Sequence, residues 1–171
     1  MDVSKTIASQ FHAALSMMEE IVRTCPEELW NEPDQSTPFW RVAYHGLFYV
    51  NFYLQTTEHD HALWEGAREG YHFLGPAPFP PHEQPKADQP YTPEEILDFL
   101  EFCRDAVDRM VPTTDLSSPS GFHWLPFDKM ELQIYNIRHL QQHVGDLGTI
   151  LMMRANLETH WVGTGSGRPP E

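Results

Sequence analysis

His139 and His143 stand four residues apart in a stretch with helical patterning, so their directions differ by about 40° and their imidazoles can project side by side, as two ligands of one metal require. At roughly 100° per residue, Tyr135, Asn136 and Asp146 fall within about 60° of His139. The pair therefore lies in a polar band on an otherwise apolar helix face. Two readings of such a pair are open: ligands of an ion, or histidines at the surface or core edge whose ring nitrogens find ordinary hydrogen bonds. His45 bears on the choice. It sits among Trp40, Tyr44, Phe48, Tyr49 and Phe52, where a buried imidazole without a partner costs on the order of 1–3 kcal/mol. One bound ion would satisfy all three.

The elements that must position these residues are helices. Residues 5 to 24 place Ile7, Phe11, Leu15, Met18 and Val22 at steps of three and four, the stripe of an amphipathic helix that Pro26 ends. The stretch 26 to 38, with three prolines, Asn31, Asp34 and Ser36, predicts a surface connection in which Trp30 caps the core. A second helix is expected from 39 to 55, so aromatic that it should be buried on more than one side, in mid-bundle or at a subunit interface. Residues 58 to 90 carry His59, His61, His72 and His82 among acids and six prolines, which predicts a long loop with a short helix near 61 to 70 and loop histidines that are solvated or cap locally. Loops of this length in compact domains are often lids.

Thr92, Pro93, Glu94 and Glu95 form a capping box with proline at the first helical position, and Ile96, Leu97, Leu100, Cys103, Val107 and Met110 follow as a buried stripe up to Pro112. The fourth helix should run from about 128 to 158 with Leu132, Tyr135, His139, His143, Asp146, Ile150 and Met153 along one side. The expected architecture is an all-α four-helix bundle over residues 1–160, with a long Pro-rich loop between helices 2 and 3 and a flexible tail over 161–171. His12 and His123 are expected to be solvated or to cap locally.

The chain of 171 residues has room for one domain with a real core, and no apolar run approaches membrane-spanning length. With 25 acidic against 11 basic residues and a net charge of −14, it should repel nucleic acid and anionic membranes. Two cysteines, Cys25 and Cys103, are too few for a disulfide framework. Residues 1 to 25 carry no export pattern, so a cytoplasmic setting is expected.

The string Phe39-Trp40-Arg41-Val42-Ala43-Tyr44-His45, followed by Asn136-Ile137-Arg138-His139-Leu140-Gln141-Gln142-His143-Val144-Gly145-Asp146-Leu147, resembles the DinB superfamily in order and spacing over roughly residues 5 to 158. The resemblance implies a four-helix bundle holding a divalent metal between His45 of the second helix and His139 and His143 of the last. The Pro-rich insertion departs from the family pattern. Members include transferases dependent on mycothiol or bacillithiol and a thiol-dependent maleylpyruvate isomerase, besides many without an assigned reaction. Three neutral imidazoles leave one or more positions for water or a substrate atom. The ion would be zinc or nickel, with iron or manganese also tolerated, and a low-molecular-weight thiol is a possible second cofactor. Tyr49 and Asn136, each one turn from a ligand, are pocket candidates. Asp146 is a candidate to orient a ligand imidazole or to pair with a base across the bundle. The expected activity is thiol S-transfer or hydrolysis on a small molecule by a homodimer. The alternatives are a stress-response or binding protein that the metal merely stabilises, and a helical interaction module without metal.

Overall fold

The computed structural model describes residues 2–32, 37–60 and 62–165. Among the described residues there are five α-helices, α1 (Val3–Thr24), α2 (Glu27–Trp30), α3 (Phe39–Leu54), α4 (Pro93–Met110) and α5 (Lys129–Ala155), with a 3₁₀ turn at Val111–Thr113. The fold is an all-α bundle of α1, α3, α4 and α5. Both α1 and α3 pack against α4 and α5, so the chain crosses the bundle diagonally from α1 to α3 and again from α4 to α5. The ligand-bearing helices α3 and α5 are thereby made neighbours.

Three of these helices start on a side-chain cap, while α2 and α3 start after Pro26 and Pro38. Asp2 and Asp128 accept from the backbone amides of Lys5 and Glu131, and Thr92 with Glu95 forms the expected reciprocal cap. The core takes Phe11, Leu15, Met18 and Ile21 from α1, Phe39, Trp40, Tyr44 and Leu47 from α3, Ile96, Leu100, Cys103 and Val107 from α4, and Leu140, Leu147 and Leu151 from α5.

Several expectations need correction. The connection after α1 contains the short α2, which buries Leu29 and Trp30 and lets the Trp30 indole donate to the Tyr91 carbonyl at 2.7 Å; residues 33–36, with Asp34 and Ser36, lie outside the described residues. No helix forms over the described residues between 60 and 70. Gly70 has φ of +76°, which a right-handed helix cannot contain, and Trp64 and Tyr71 are drawn into the core on either side of it. His61 lies outside the described residues. Helix α5 ends three residues early, because Asn156 adopts the left-handed conformation and its amide, with that of Leu157, returns to the last carbonyls. Its buried stripe is Leu132, Asn136, Leu140, Val144, Leu147 and Leu151, so Met153 is exposed and the two histidines ride on the stripe's edge. The expected tail begins by packing back on α1: the Gly165 amide donates to the Ser9 carbonyl and Gln10 to the Gly163 carbonyl. Residues 166–171 lie outside the described residues.

The α3 aromatics are buried on more than one side, as their density requires, and much of the covering comes from the chain's own long loop. Tyr71 packs on Trp40 and Tyr91, and Trp64 stacks on Phe99. Arg68 holds the loop to Glu95 and to the Gln89 carbonyl while lying over the Tyr91 ring. On the far side, the 114–128 connection turns at Gly121, where a Cβ would come within 2.0 Å of the Thr56 carbonyl oxygen at φ of +83°. Among the described residues no helix is long and apolar enough to cross a membrane.

Candidate metal centre

His45 projects from the middle of α3, and His139 and His143 from successive turns of α5, toward one point. The Nε2 atoms of His45 and His143 each lie 3.2 Å from Nε2 of His139. Among the described residues this is the group of histidine, cysteine and acidic side chains whose ligand atoms converge as an ion requires. None of the three rings is fully buried, so the cluster meets solvent.

The protonation pattern decides what the cluster can hold. His45 Nδ1 lies 2.5 Å from the His72 carbonyl oxygen, an acceptor, so Nδ1 carries the proton and Nε2 is a bare lone pair facing His139. His139 Nε2 can donate or accept, not both, so one linear hydrogen bond serves only one of its two 3.2 Å contacts. Without an ion, lone pairs or protons are left opposed. An ion of tetrahedral preference with bonds of about 2.0–2.1 Å holds its nitrogens about 3.3 Å apart, close to the spacing present. The residues therefore fit a divalent metal.

Electrostatics favours the same state. Burial pushes His45 down to about 3, against the pull of the His72 carbonyl, and the neighbouring His143 and His139 act in the same direction as burial. Burial and then His143 push His139 down to about 4. His143 is also lowered by burial, with Asp146 partly opposing. All three are neutral near pH 7, the ligand form of imidazole. The Nδ1 atoms of His139 and His143 are buried without a hydrogen-bond partner.

The surrounding residues divide. The Tyr49 ring lies over two of the histidines, 4.8 Å from His45 and 5.1 Å from His139 between centroids, and burial, then Tyr135, raises its hydroxyl so that it stays protonated. Asn136 is fully enclosed and its amide donates to the Val50 carbonyl at 3.1 Å, which ties α5 to α3. Asp146 stands 3.5 Å from His143 Nδ1 and is about half exposed. Among the described residues it forms no ion pair with a base across the bundle.

Two histidines expected to be solvated are not. His12 is buried on α1 and its Nε2 meets Asp108 of α4 at 2.7 Å. His72 stacks on Phe48 at 4.0 Å with a 9° interplanar angle while its carbonyl takes the His45 proton. A carbonyl has no sequence signature; the only hint was the run Tyr71-His72-Phe73, aromatic within a loop of prolines and acids.

An all-α bundle with a partly open three-histidine cluster at the seam of two helices fits a metal-binding protein. The chain belongs to the DinB superfamily, whose sequence profile matches residues 10–147. Neither the search of curated proteins nor that of solved structures finds a match.

Proposed function

We propose that the protein is a metal-dependent enzyme in which His45, His139 and His143 hold one divalent ion, zinc or nickel before iron or manganese, for thiol transfer to, or hydrolysis of, a small electrophilic molecule. The observation that carries this reading is the convergence of three Nε2 atoms, one fixed as a bare lone pair, with no fourth protein ligand in the group. When bound, the ion would supply Lewis acidity that lowers the pKa of a coordinated water or thiol toward 7. The chain's own part is separate. Its imidazoles stay neutral through burial, the Tyr49 phenol is a protonated donor beside two of them, and the aromatic wall of Phe48 and Tyr49 limits water at that side. A low-molecular-weight thiol as cosubstrate, a homodimer and a cytoplasmic location belong to the same proposal.

One observation favours the second reading, a binding or stress-response protein that the metal only locks. The hollow at His139, bordered by Tyr135, Arg138 and Gln142, measures only about 160 Å³, below the 300–1,000 Å³ or so of ordinary ligand pockets. The substrate must then be small, or turnover is absent.

The test is elemental analysis of protein purified without a metal-affinity tag, wild type beside His143→Ala. Near-stoichiometric metal in the wild type, lost in the variant, is expected. No metal in the wild type, even after incubation with zinc, nickel or manganese, overturns the proposal.

A further inference from the structure

We propose that the turn at residues 70–73 of the long loop is a positioning element of this centre: its His72 carbonyl selects the His45 tautomer that offers Nε2 to the ion, so that metal occupancy and closure of the loop strengthen one another. The inference rests on the functional reading above for the metal, but not for the tautomer.

An isolated neutral imidazole exchanges its proton between Nδ1 and Nε2. In the protein the choice is made by the partner of one nitrogen. For His45 that partner comes from a residue 27 positions away in a segment without regular structure. The carbonyl is fixed from both sides. Tyr71 is buried against Trp40 and Tyr91, and the Phe73 amide donates to the Gly70 carbonyl at 3.1 Å, closing the turn. The His72 ring lies flat on Phe48, one turn along α3 from His45. The turn itself depends on Gly70, whose φ is +76° and whose Cβ, if it had one, would stand 2.8 Å from Pro85 Cβ.

The coupling follows from charge. An ion at Nε2 withdraws electron density from the ring and makes the Nδ1–H a stronger donor to the His72 carbonyl. By reciprocity, whatever the ion adds to loop closure, loop closure adds to ion affinity. Partners of this kind are worth roughly 10- to 100-fold in metal affinity elsewhere, and here the partner belongs to the long connection between α3 and α4.

The experiment has two readouts. Long-range ¹⁵N–¹H NMR on the metal-free protein reads the tautomer, and zinc titration calorimetry with hydrogen exchange at the amides of 71–73 reads the coupling. In the wild type, His45 is expected as the single Nδ1–H tautomer, and zinc is expected to slow exchange at 71–73. Gly70→Ala, which disrupts the turn, is expected to mix the tautomers and weaken zinc roughly 10-fold, and His72→Ala, which removes the ring with its aromatic contacts but keeps the carbonyl, to weaken it less. Circular dichroism checks that both variants keep the bundle; should Gly70→Ala fail to fold, the wild-type tautomer and His72→Ala still decide. A mixed or Nε2–H tautomer in the wild type overturns the inference, as does wild-type zinc affinity in both variants. Zinc that binds without protecting 71–73 also sinks the coupling. If the wild type binds no metal at all, the functional reading fails, and the tautomer alone then judges the role of the turn.

Discussion

The bundle has two polar seams, and they are completed differently. Between α1 and α4, Arg104 is buried and meets Glu19 at 2.8 Å and Glu101 at 3.1 Å, while His12 meets Asp108. Each base has an acid within reach. Between α3 and α5, Asn136 and Gln133 donate to the carbonyls of Val50 and Tyr53, but the Nε2 atoms of three imidazoles face one another with no carboxylate in their group; the nearby acid, half-exposed Asp146, stands 3.5 Å from His143 on its Nδ1 side, and the His139 Nδ1 has no hydrogen-bond partner. The charges of the first seam are paired within the chain, so its role is to hold helices together. The second is held together by its amides yet left electron-rich at one point, a surplus that a cation corrects. Buried polar residues thus separate into those that serve the fold and those that need something from outside it.

The largest expected effect lies in the finished seam. Arg104→Ala removes a buried guanidinium and its pairs with Glu19 and Glu101, although Glu19 keeps Arg23, and should lower stability by about 3 kcal/mol, read as a fall in the urea midpoint, equally with and without zinc. The next lies in the unfinished seam. His143→Ala should change metal-free stability by only about 1 kcal/mol, whereas zinc at a hundredfold excess over its Kd should stabilise the wild type by about 2.7 kcal/mol and the variant not at all. Thermal melts with and without zinc compare the two. If His143→Ala costs as much as Arg104→Ala without metal, the contrast between the seams is broken.

Acid sharpens the same contrast. His45 and His139 have folded values of about 3 and about 4 against an ordinary 6.5, so below pH 6.5 the unfolded chain takes up protons that the folded chain refuses. The stability contributed by the neutral rings is complete above pH 6.5 and is lost progressively as pH falls toward 4 and 3. Denaturation of the metal-free protein from pH 7 to 4 should show this loss. His143→Ala, with one fewer such ring, should show a shallower slope. The smallest effect is expected at Asp146: its half-exposed carboxylate, 3.5 Å from His143, should change zinc affinity by no more than about 5-fold when replaced as Asp146→Asn, consistent with up to about 1 kcal/mol for an exposed pair. Calorimetry is the check.

Much of this was legible in the sequence. Capping residues mark the starts of α4 and α5, and prolines mark the ends of α1 and α4, because those signals act within a few residues. The three histidines were legible for the same reason: two share a helical period, and the third sits among aromatics where an imidazole needs a partner. On α5 the periodicity reads as a buried side through Leu132, His139, Asp146 and Met153, whereas the stripe that packs runs through Leu140 and Leu147. In that stripe Asn136 is a tie between the two helices. The role of the loop was hidden for another reason. It is performed by a carbonyl at residue 72, which every residue type possesses, and placed by Tyr71 against rings of α3 and at the start of α4 that only the folded bundle assembles.

The diagonal path of the chain sets the order in which the centre is completed. His45 and His139 lie 94 residues apart, and nothing local brings them together. Contacts of such separation form late, since the intervening chain must first lose its freedom. His139 and His143, by contrast, face one side as soon as α5 coils, so a folding chain presents a two-histidine half-site before it presents the whole. On the ribosome, α3 leaves the tunnel before α5 is made, and its α5-facing side, which carries His45, waits for the last helix to dock. Refolding with and without zinc should therefore differ in the closing phase, when α5 meets α3, and agree in the earlier formation of helix.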